Sequence, residues 1–276
     1  MKFNHLGPSR LPDPTLGLLK RTPLYAVYRQ MTWLRRMLAG YWNRTQENHR
    51  HLKFFRQFIE PGDLVFDVGA NMGRLTKIFL ALHSKVVAFE PQKICSDRLE
   101  SIFRQGPNFT LVKKALGAKE GHGSMLISQS HMLSTLSRHW TECTKKSGRF
   151  ASIEWDETQS VEITTLDKAI QEFGVPSFIK IDVEGYEHEV LSGLSKPIQY
   201  LSIEFASESL QNTYRCIEYL ESLSEVSFQI SKGESAAFAL PSWTPGDQIR
   251  RILSDLVEED EFAWGDLYIR SSRNHA

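Results

Sequence analysis

The sequence predicts an α/β fold in which a mainly parallel sheet carries helices on both faces. Short apolar runs alternate with stretches of helical periodicity along most of the chain. Several runs end on an acid, as Leu64–Asp67 and Val86–Glu90 do, and a glycine-containing turn joins the first of them to the helical stretch that follows. Alternating strands and helices produce parallel strands that are buried on both faces, and such strands are almost wholly apolar.

These patterns define the expected elements along the chain. Strands are expected at 64–67, 86–89, 109–112, 124–127, 161–165, 177–182, 199–205, 226–230 and 267–270. Helices are expected at 47–60, 75–82, 99–103, 166–173, 190–194 and 214–223. The last two strands are expected to form a hairpin that closes one edge of the sheet. A polar segment between the strands at 124–127 and 161–165 breaks the alternation; we expect an irregular flap that contributes to acceptor recognition, or a solvated loop held by its tryptophans.

Composition and cysteine content are those of an ordinary globular protein. Of 276 residues, 41% are apolar and 24% charged, which suits one large α/β domain with an appendage. The 33 basic and 33 acidic residues balance, so no nucleic-acid partner is expected. Cys95, Cys143 and Cys216 lie far apart in no metal-ligand spacing, which indicates neither a disulfide framework nor zinc.

The protein is expected to be cytoplasmic. Its cysteines fit a reducing compartment. No run approaches the roughly 18 apolar residues that a membrane span needs, and the sequence MKFNHLGPSRLPDP lacks the apolar core of a signal peptide.

Residues 1–50 are predicted to form a basic N-terminal arm, separate from a main domain at 51–276. The arm carries nine Lys and Arg against two Asp and Glu. Apolar residues at helical spacing over 24–42 predict an amphipathic helix. This helix could pack on the main domain, form a dimer contact or lie on a membrane surface as a peripheral contact; the sequence leaves all three open.

The stretch Pro61–Pro91 carries the first candidate site. It is predicted to form a strand ending at Asp67, a glycine loop, a helix, and a strand ending at Glu90. Gly69 and Gly73 let backbone amides approach a ligand closely, and an acid at the second strand tip suits a ribose diol. The spacing GxNxG differs from GxGxxG and disfavours a pyrophosphate, so S-adenosyl-L-methionine is the expected ligand. Alternatively, the glycines only make a tight turn.

Acids that end other strands are expected at the same edge of the sheet. The carboxyl ends of parallel strands meet at one rim, where ligands bind. Four acids are placed there, Asp67, Glu90, Asp182 and Glu204. Each is costly to desolvate alone, which implies hydrogen bonds to ligands.

Five segments in this order resemble the FkbM-type family of S-adenosylmethionine-dependent methyltransferases. They are PGDLVFDVGANMG, AFEP, TTLD, KIDVEGYEHEVLSG and YLSIEF. The combination of DVGANMG with KIDVEGYE is specific, and the resemblance covers about residues 50–270. It implies a class I methyltransferase fold, Rossmann-like, with a seven-stranded, mostly parallel sheet that has one antiparallel strand. It also implies S-adenosyl-L-methionine as cofactor and O-methylation of a hydroxyl on a sugar, glycan or polyketide/lipid-type acceptor.

The resemblance also implies roles for individual residues. The loop around the methionine part of the cofactor would contain Asp67, Gly69, Ala70, Asn71 and Gly73. Glu90, followed by Pro91, would bind the ribose hydroxyls, and Lys114 and Ala115 would lie by the adenine. Asp182 would face the amino group of the cofactor, the transferred methyl group or the acceptor.

An alcohol acceptor must lose a proton, so a general base is expected at the rim. The candidates are Asp182, Glu184, His188 and Glu204. Asp182 is preferred because its strand should end beside the cofactor. Glu184 could instead favour a helix N-terminus, His188 could pair with Glu184, and Glu204 could be a structural acid. No metal is expected; a divalent cation on Asp182, Glu184 and Glu204 is an alternative, although no dedicated metal spacing is present.

Two other classes of function stay open. A non-catalytic module could bind S-adenosyl-L-methionine without transferring its methyl group. A nucleotide-dependent oxidoreductase would need the pyrophosphate loop, which GxNxG does not supply. Methylation of nucleic acid is disfavoured by the neutral charge and by the lack of an Asn/Asp-Pro-Pro-Tyr type motif after the fourth strand. The expected partner is a small-molecule or glycan acceptor with a hydroxyl.

Overall fold

The computed structural model describes residues 47–272. The amphipathic helix expected at 24–42, with its dimer or membrane contact, lies outside the described residues, as does most of the basic arm. The division into arm and main domain stays a prediction. Within 47–272, every helix is too short or too polar to cross a membrane.

Ten strands and eight α-helices occur within the described residues. The strands are β1 Leu64–Val68, β2 Lys85–Phe89, β3 Phe109–Val112, β4 Ala115–Leu116, β5 Gly121–Ile127, β6 Glu157–Thr164, β7 Phe178–Ile181, β8 Tyr200–Ala206, β9 Val226–Lys232 and β10 Trp264–Ser271. The helices are α1 at 47–55, α2 Arg74–Ala81, α3 Lys93–Phe103, α4 Arg138–Ser147, α5 Leu166–Phe173, α6 Glu187–Leu191, α7 Leu210–Leu223 and α8 Gly246–Glu259.

The central sheet has seven strands in the order β3–β2–β1–β7–β8–β10–β9. Neighbouring strands from β3 to β8 are parallel, whereas β10 runs antiparallel to both β8 and β9. This order confirms the expected class I methyltransferase fold, with one antiparallel strand and a hairpin at one edge. The chain leaves β1 toward β2 and β3 and later returns to its other side with β7. The crevice beyond the carboxyl ends of β1 and β7 is therefore the topological switch point, where ligands bind in such sheets.

Helices cover both faces because successive strand residues point in opposite directions. Val65 packs into an aromatic cluster that contains Phe55 from α1 and Phe79 from α2. The next residue, Phe66, packs into the larger cluster on the other face, which contains Leu166 from α5 together with residues of α6, α7 and α8. Both layers are needed because β1 is buried along most of its length. They hold the carboxyl ends of the strands in fixed positions.

The region between β3 and α5 forms a small second sheet and a helix. β5 pairs antiparallel with β6, and β4 pairs parallel with β6. Between them lies α4, which the sequence analysis wrongly described as irregular. Its N-terminus is capped by the side chain of Ser137, which accepts from the N–H of Trp140, and it ends at Gly148 with φ 89°. The buried face of α4 consists of Trp140, Thr141 and Thr144, a helical stripe that is too polar to be recognised as apolar periodicity.

Candidate functional site

The carboxyl ends of β1, β2, β7 and β8 border a cavity of about 390 Å³. Its lining includes all four acids expected at the rim, Asp67, Glu90, Asp182 and Glu204. It also includes other residues of the expected cofactor site, Gly69, Ala70, Asn71, Pro91, Lys114 and Ala115. The adjacent strand ends thus bring together acids that lie far apart in the sequence. We call this space the first cavity.

The loop after β1 depends on glycine at one position. Gly69 has φ 79°, and a Cβ there would lie 1.9 Å from the carbonyl oxygen of Asp182. Only glycine therefore allows the end of β1 to approach the end of β7 this closely. Gly73 has φ 82° but is absent from the cavity lining; a Cβ there would collide with side chains of α3. Gly69 shapes the cavity, whereas Gly73 serves helix packing.

Glu90 presents a buried carboxylate to the first cavity. Its Oε2 accepts from the N–H of Asn71 at 2.7 Å, and its Oε1 accepts from the N–H of Gln92 at 2.8 Å. Burial raises the pKa of Glu90 to about 7, against the effect of these two N–H donors. Each oxygen accepts one backbone hydrogen bond and keeps capacity for another. The group can therefore accept two hydroxyl donors of a vicinal diol.

Asp67 is more enclosed than Glu90 and has a protein partner. The hydroxyl of Thr76 in α2 donates to its carboxylate. Burial raises the pKa of Asp67 to about 6, although the Thr76 hydrogen bond opposes the shift. The contact joins the end of β1 to α2 and so fixes the loop between them.

Lys180 is the buried cation of the site. Its Nζ lies 2.7 Å from Oδ1 of Asp266 and 3.4 Å from Oδ2 of Asp182. Burial alone would lower the pKa of Lys180, but the carboxylates of Asp182 and Asp266 outweigh this penalty and hold the pKa above its ordinary value. β10 places Asp266 opposite Glu204 of β8. Asp266 was not predicted from the sequence, because β10 runs antiparallel and Asp266 does not end a parallel strand.

The turn after β7 is held in an unusual backbone conformation. Glu184 has φ 54° and Gly185 has φ 82°. Trp140 of α4 packs on Gly185, where a Cβ would lie 2.5 Å from the indole Cδ1. The hydroxyl of Thr135 donates to the carbonyl of Glu184 at 2.7 Å. Positive φ at a glutamate costs free energy and persists only where the surroundings enforce it; the segment before and within α4 provides that enforcement.

Glu187 supports the same turn from within. Its Oε1 accepts from the N–H groups of Gly185 and Val183 at 3.1 and 3.3 Å. Its Oε2 accepts from the Asn212 side chain at 3.1 Å. Burial raises the pKa of Glu187 to about 7, against these backbone hydrogen bonds. All of these contacts are internal, so Glu187 is a structural acid.

Three carboxylates meet at the wall of the first cavity. Asp182, Glu184 and Glu204 each offer an oxygen within 4.8 Å of the others. Burial raises the pKa of Glu184 well above its ordinary value, and the charge of Asp182 adds to the shift. The pKa of Glu204 is raised in the same way, first by burial and then by Glu184. Such a group can hold a shared proton, accept one from a ligand, or ligate a divalent cation.

His188 lies away from this wall. It lines neither of the two cavities described here. Its Nδ1 lies 3.9 Å from Oε1 of Glu189, and its ring packs edge-on against Tyr219. His188 therefore does not pair with Glu184, the alternative that the sequence left open, because α6 turns the imidazole toward α7. Burial lowers the pKa of His188.

A second cavity of about 450 Å³ adjoins the first. Glu184, Glu204, Glu234, Met132 and Trp264 line both. Apolar side chains of the α4 region and the Arg149–Glu208 ion pair contribute to the rest of its lining. The two spaces thus meet at the carboxylate wall. Reactants placed in the two cavities would face each other there.

Comparisons with known proteins identify a family. The family described as "Methyltransferase FkbM domain" matches residues 67–237, which is more than half of the chain. A curated relative, hexuronic acid methyltransferase AglP of Haloferax volcanii, is 28% identical over 148 residues. The match covers 54% of this chain and 56% of AglP. The matched part therefore spans little more than half the length of that relative.

Solved structures with similar folds include other methyltransferases. A putative O-methyltransferase from Klebsiella pneumoniae has a TM-score of 0.42 and 9% identity, covering 83% of this chain and 80% of that one. A TehB-like SAM-dependent methyltransferase from Corynebacterium glutamicum has a TM-score of 0.40 and 10% identity, covering 91% of this chain and 100% of that one. Both scores lie below 0.5, and the fold is defined instead by its own strand order.

Proposed function

Because the chain belongs to the methyltransferase FkbM domain family, we propose that it transfers a methyl group from S-adenosyl-L-methionine to an acceptor hydroxyl. The observation that carries the proposal is the common cavity, in which Glu90 and the three-carboxylate wall face one space. The acceptor is a sugar, glycan or polyketide/lipid-type molecule. The relative named a hexuronic acid methyltransferase supports the sugar among these. The catalytic domain comprises residues 51–276.

The first cavity fits the cofactor. Glu90 has free acceptor capacity for the ribose hydroxyls, and the loop at Gly69 lacks a side chain that would block the ligand. Leu116 and Met125 give the lining buried apolar surface for the adenine, next to Ala115. S-adenosyl-L-methionine supplies an electrophilic methyl group on a sulfonium. The chain's own residues must align the acceptor oxygen and take its proton.

The pair Glu184 and Glu204 is better suited than Asp182 to take that proton. Asp182 already has a basic partner, because one of its oxygens lies 3.4 Å from Nζ of Lys180. The two glutamates repel each other and line the boundary of both cavities. Like charges in one site favour proton uptake by one member, so the pair accepts a proton as a unit. Asp182, held by Lys180, orients the groups at the wall.

The cofactor assignment is tested by Glu90→Gln in calorimetry with S-adenosyl-L-methionine. A hydrogen bond to a charged acceptor contributes about 1.5–3 kcal/mol, so the affinity should fall by roughly 10- to 100-fold. Glu100→Gln is the matched control, because Glu100 pairs with Lys113 on the exposed face of α3 and lines neither cavity. Equal affinity in all three proteins would contradict the assignment.

The transfer step is tested separately by Glu204→Gln. This variant should still bind S-adenosyl-L-methionine, while turnover should fall by about 10²–10⁴, the usual contribution of a general base. Formation of S-adenosylhomocysteine against a panel of hydroxyl acceptors measures it. Cofactor binding without any acceptor-dependent turnover in the wild type would instead favour a non-catalytic binding module.

A further inference from the structure

The two glutamates at the boundary between the two cavities have no direct ion-pair partner among the described residues. Glu184 and Glu204 line both spaces, and within residues 47–272 neither makes an ion pair with a basic side chain. One shared proton would relieve their mutual repulsion. The pair would still carry one negative charge, and it faces the second cavity.

The Lys and Arg side chains that line the two cavities are already paired with acids. The pairs are Arg74–Glu234 at 3.1 Å, Lys114–Glu162 at 2.8 Å, Arg149–Glu208 at 2.6 Å and Lys180–Asp266 at 2.7 Å. Of these four pairs, only Arg149–Glu208 lines the second cavity with both members, and its side chains are 15% and 2% exposed. A carboxylate on the acceptor would need a basic partner in the cavity, either an arginine that binds it through two hydrogen bonds or the point charge of a lysine. Within the described lining, each lysine and arginine therefore already has an acidic partner.

The rest of the second cavity offers flat apolar surface. Trp264 and Met132 are large hydrophobic side chains that stay 38% and 57% exposed, and both line the two cavities. Trp140 and Phe150 add aromatic surface from the α4 region. A saccharide ring presents an apolar C–H face that can lie on such surface. Its hydroxyls can donate to carboxylates without bringing a charge of their own.

We propose that the second cavity binds the acceptor as an uncharged, polyhydroxylated ring and rejects the counterpart that bears a carboxylate. The proposal rests on the proposed function, because it assigns the acceptor of the same transfer. Two unit charges about 6 Å apart at an effective dielectric constant of about 20 disfavour the charged ring by roughly 100-fold. The specificity therefore comes from repulsion by the wall as well as from contact with the ring.

Pairs of methyl glycosides that differ only in charge test the proposal with the full chain. The pairs are glucoside with glucuronoside, galactoside with galacturonoside, and mannoside with mannuronoside. Binding to protein loaded with S-adenosylhomocysteine is followed by saturation-transfer NMR, and turnover by release of S-adenosylhomocysteine. The neutral member should bind or react at least tenfold better in every pair that gives a signal.

Charge-removing variants test the cause of the preference. The double variant Glu184→Gln/Glu204→Gln removes the remaining charge of the pair and should narrow the neutral-to-acidic binding ratio by several-fold. Glu100→Gln removes an exposed acid that, like its partner Lys113, lines neither cavity and should leave the ratio unchanged. An equal narrowing in the double variant and in the control would overturn the role of the wall.

Three results would overturn the proposal and leave the proposed function standing. They are a uronoside that equals or exceeds its neutral partner, a tenfold preference for the corresponding aminoglycoside, and no signal from any glycoside while S-adenosyl-L-methionine still binds. Failure of the wild type to bind S-adenosyl-L-methionine would instead overturn the proposed function itself.

Discussion

Replacing Lys180 with methionine should destabilise the protein strongly, because it leaves two carboxylates without their cation. The ammonium lies 2.7 Å from Asp266 and 3.4 Å from Asp182. Breaking a buried ion pair from one side costs about 3–5 kcal/mol. The side chains of Asp266 and Asp182 are 24% and 40% exposed, so water can partly solvate both. We therefore expect the free energy of unfolding to fall by about 2–3 kcal/mol.

Urea denaturation followed by circular dichroism measures this loss. Lys93→Met is the matched control, because Lys93 pairs with Asp97 at 2.6 Å on an exposed helix surface, where an ion pair adds little stability. Adding Asp266→Asn to Lys180→Met should recover part of the loss, since one of the two unpaired charges is removed. The reasoning would be refuted if Lys180→Met were as stable as Lys93→Met.

Three further predictions concern the first cavity. Gly69→Ala should unfold the loop or abolish binding of S-adenosylhomocysteine, because the new Cβ would lie 1.9 Å from the Asp182 carbonyl oxygen; thermal melting and calorimetry measure both effects. Thr135→Val should reduce turnover more than cofactor affinity, because it removes the hydrogen bond at 2.7 Å that holds the Glu184 turn. The pKa of Glu90 is raised by burial to about 7 from 4.5, so this acid binds its proton more tightly when folded. Its contribution to the free energy of unfolding should therefore fall by about 3 kcal/mol as pH rises from 4.5 to 7 and stay constant above that.

Each of these predictions has a control within the chain. Gly62→Ala places alanine at φ 92° with nothing within 4 Å of the new Cβ, so it reports backbone strain without a collision. Thr141→Val removes a hydroxyl that donates only within α4, at a residue that lines neither cavity, and should spare turnover. The Glu90→Gln variant should lose the pH-dependent step; an unchanged step would assign it to other acids. If Gly62→Ala and Gly69→Ala lowered the melting temperature and the affinity for S-adenosylhomocysteine equally, the collision of a Cβ at position 69 with Asp182 would not explain the loss.

The acids that line the first cavity could be predicted from the sequence, because each of them ends a strand that its neighbouring residues identify. A buried parallel strand is a short apolar run, and its carboxyl end is the residue where that run stops. Asp67, Glu90 and Asp182 could therefore be placed at one edge from their own neighbours alone. The class I strand order came from the resemblance, since apolar runs do not state which strands are neighbours.

The second cavity could not be predicted in this way. Its residues come from the α4 region and from Trp264 at the start of β10, and they meet only through tertiary packing. The helix α4 was missed because the buried positions Thr141 and Thr144 are polar, so helical apolar periodicity is weak there. The helix α8 was missed although Ile249, Leu253 and Leu256 are its buried positions; the acid-rich surface of that segment masks the stripe.

The ion pair between Lys180 and Asp266 also could not be predicted from the residues next to each of them in the sequence. Lys180 and Asp266 are separated by 86 positions, and Asp266 lies on β10, which runs antiparallel between β8 and β9. No spacing in the sequence relates the two. Lysine inside an otherwise apolar strand was the available signal, because a buried lysine requires a carboxylate partner.

The most direct test of the central claim is a crystal structure of the full chain with S-adenosylhomocysteine. We expect the nucleoside in the first cavity, with the ribose hydroxyls within hydrogen-bond distance of Glu90 and the sulfur directed toward the wall of Asp182, Glu184 and Glu204. A nucleoside bound elsewhere, or a ribose without contact to Glu90, would contradict it.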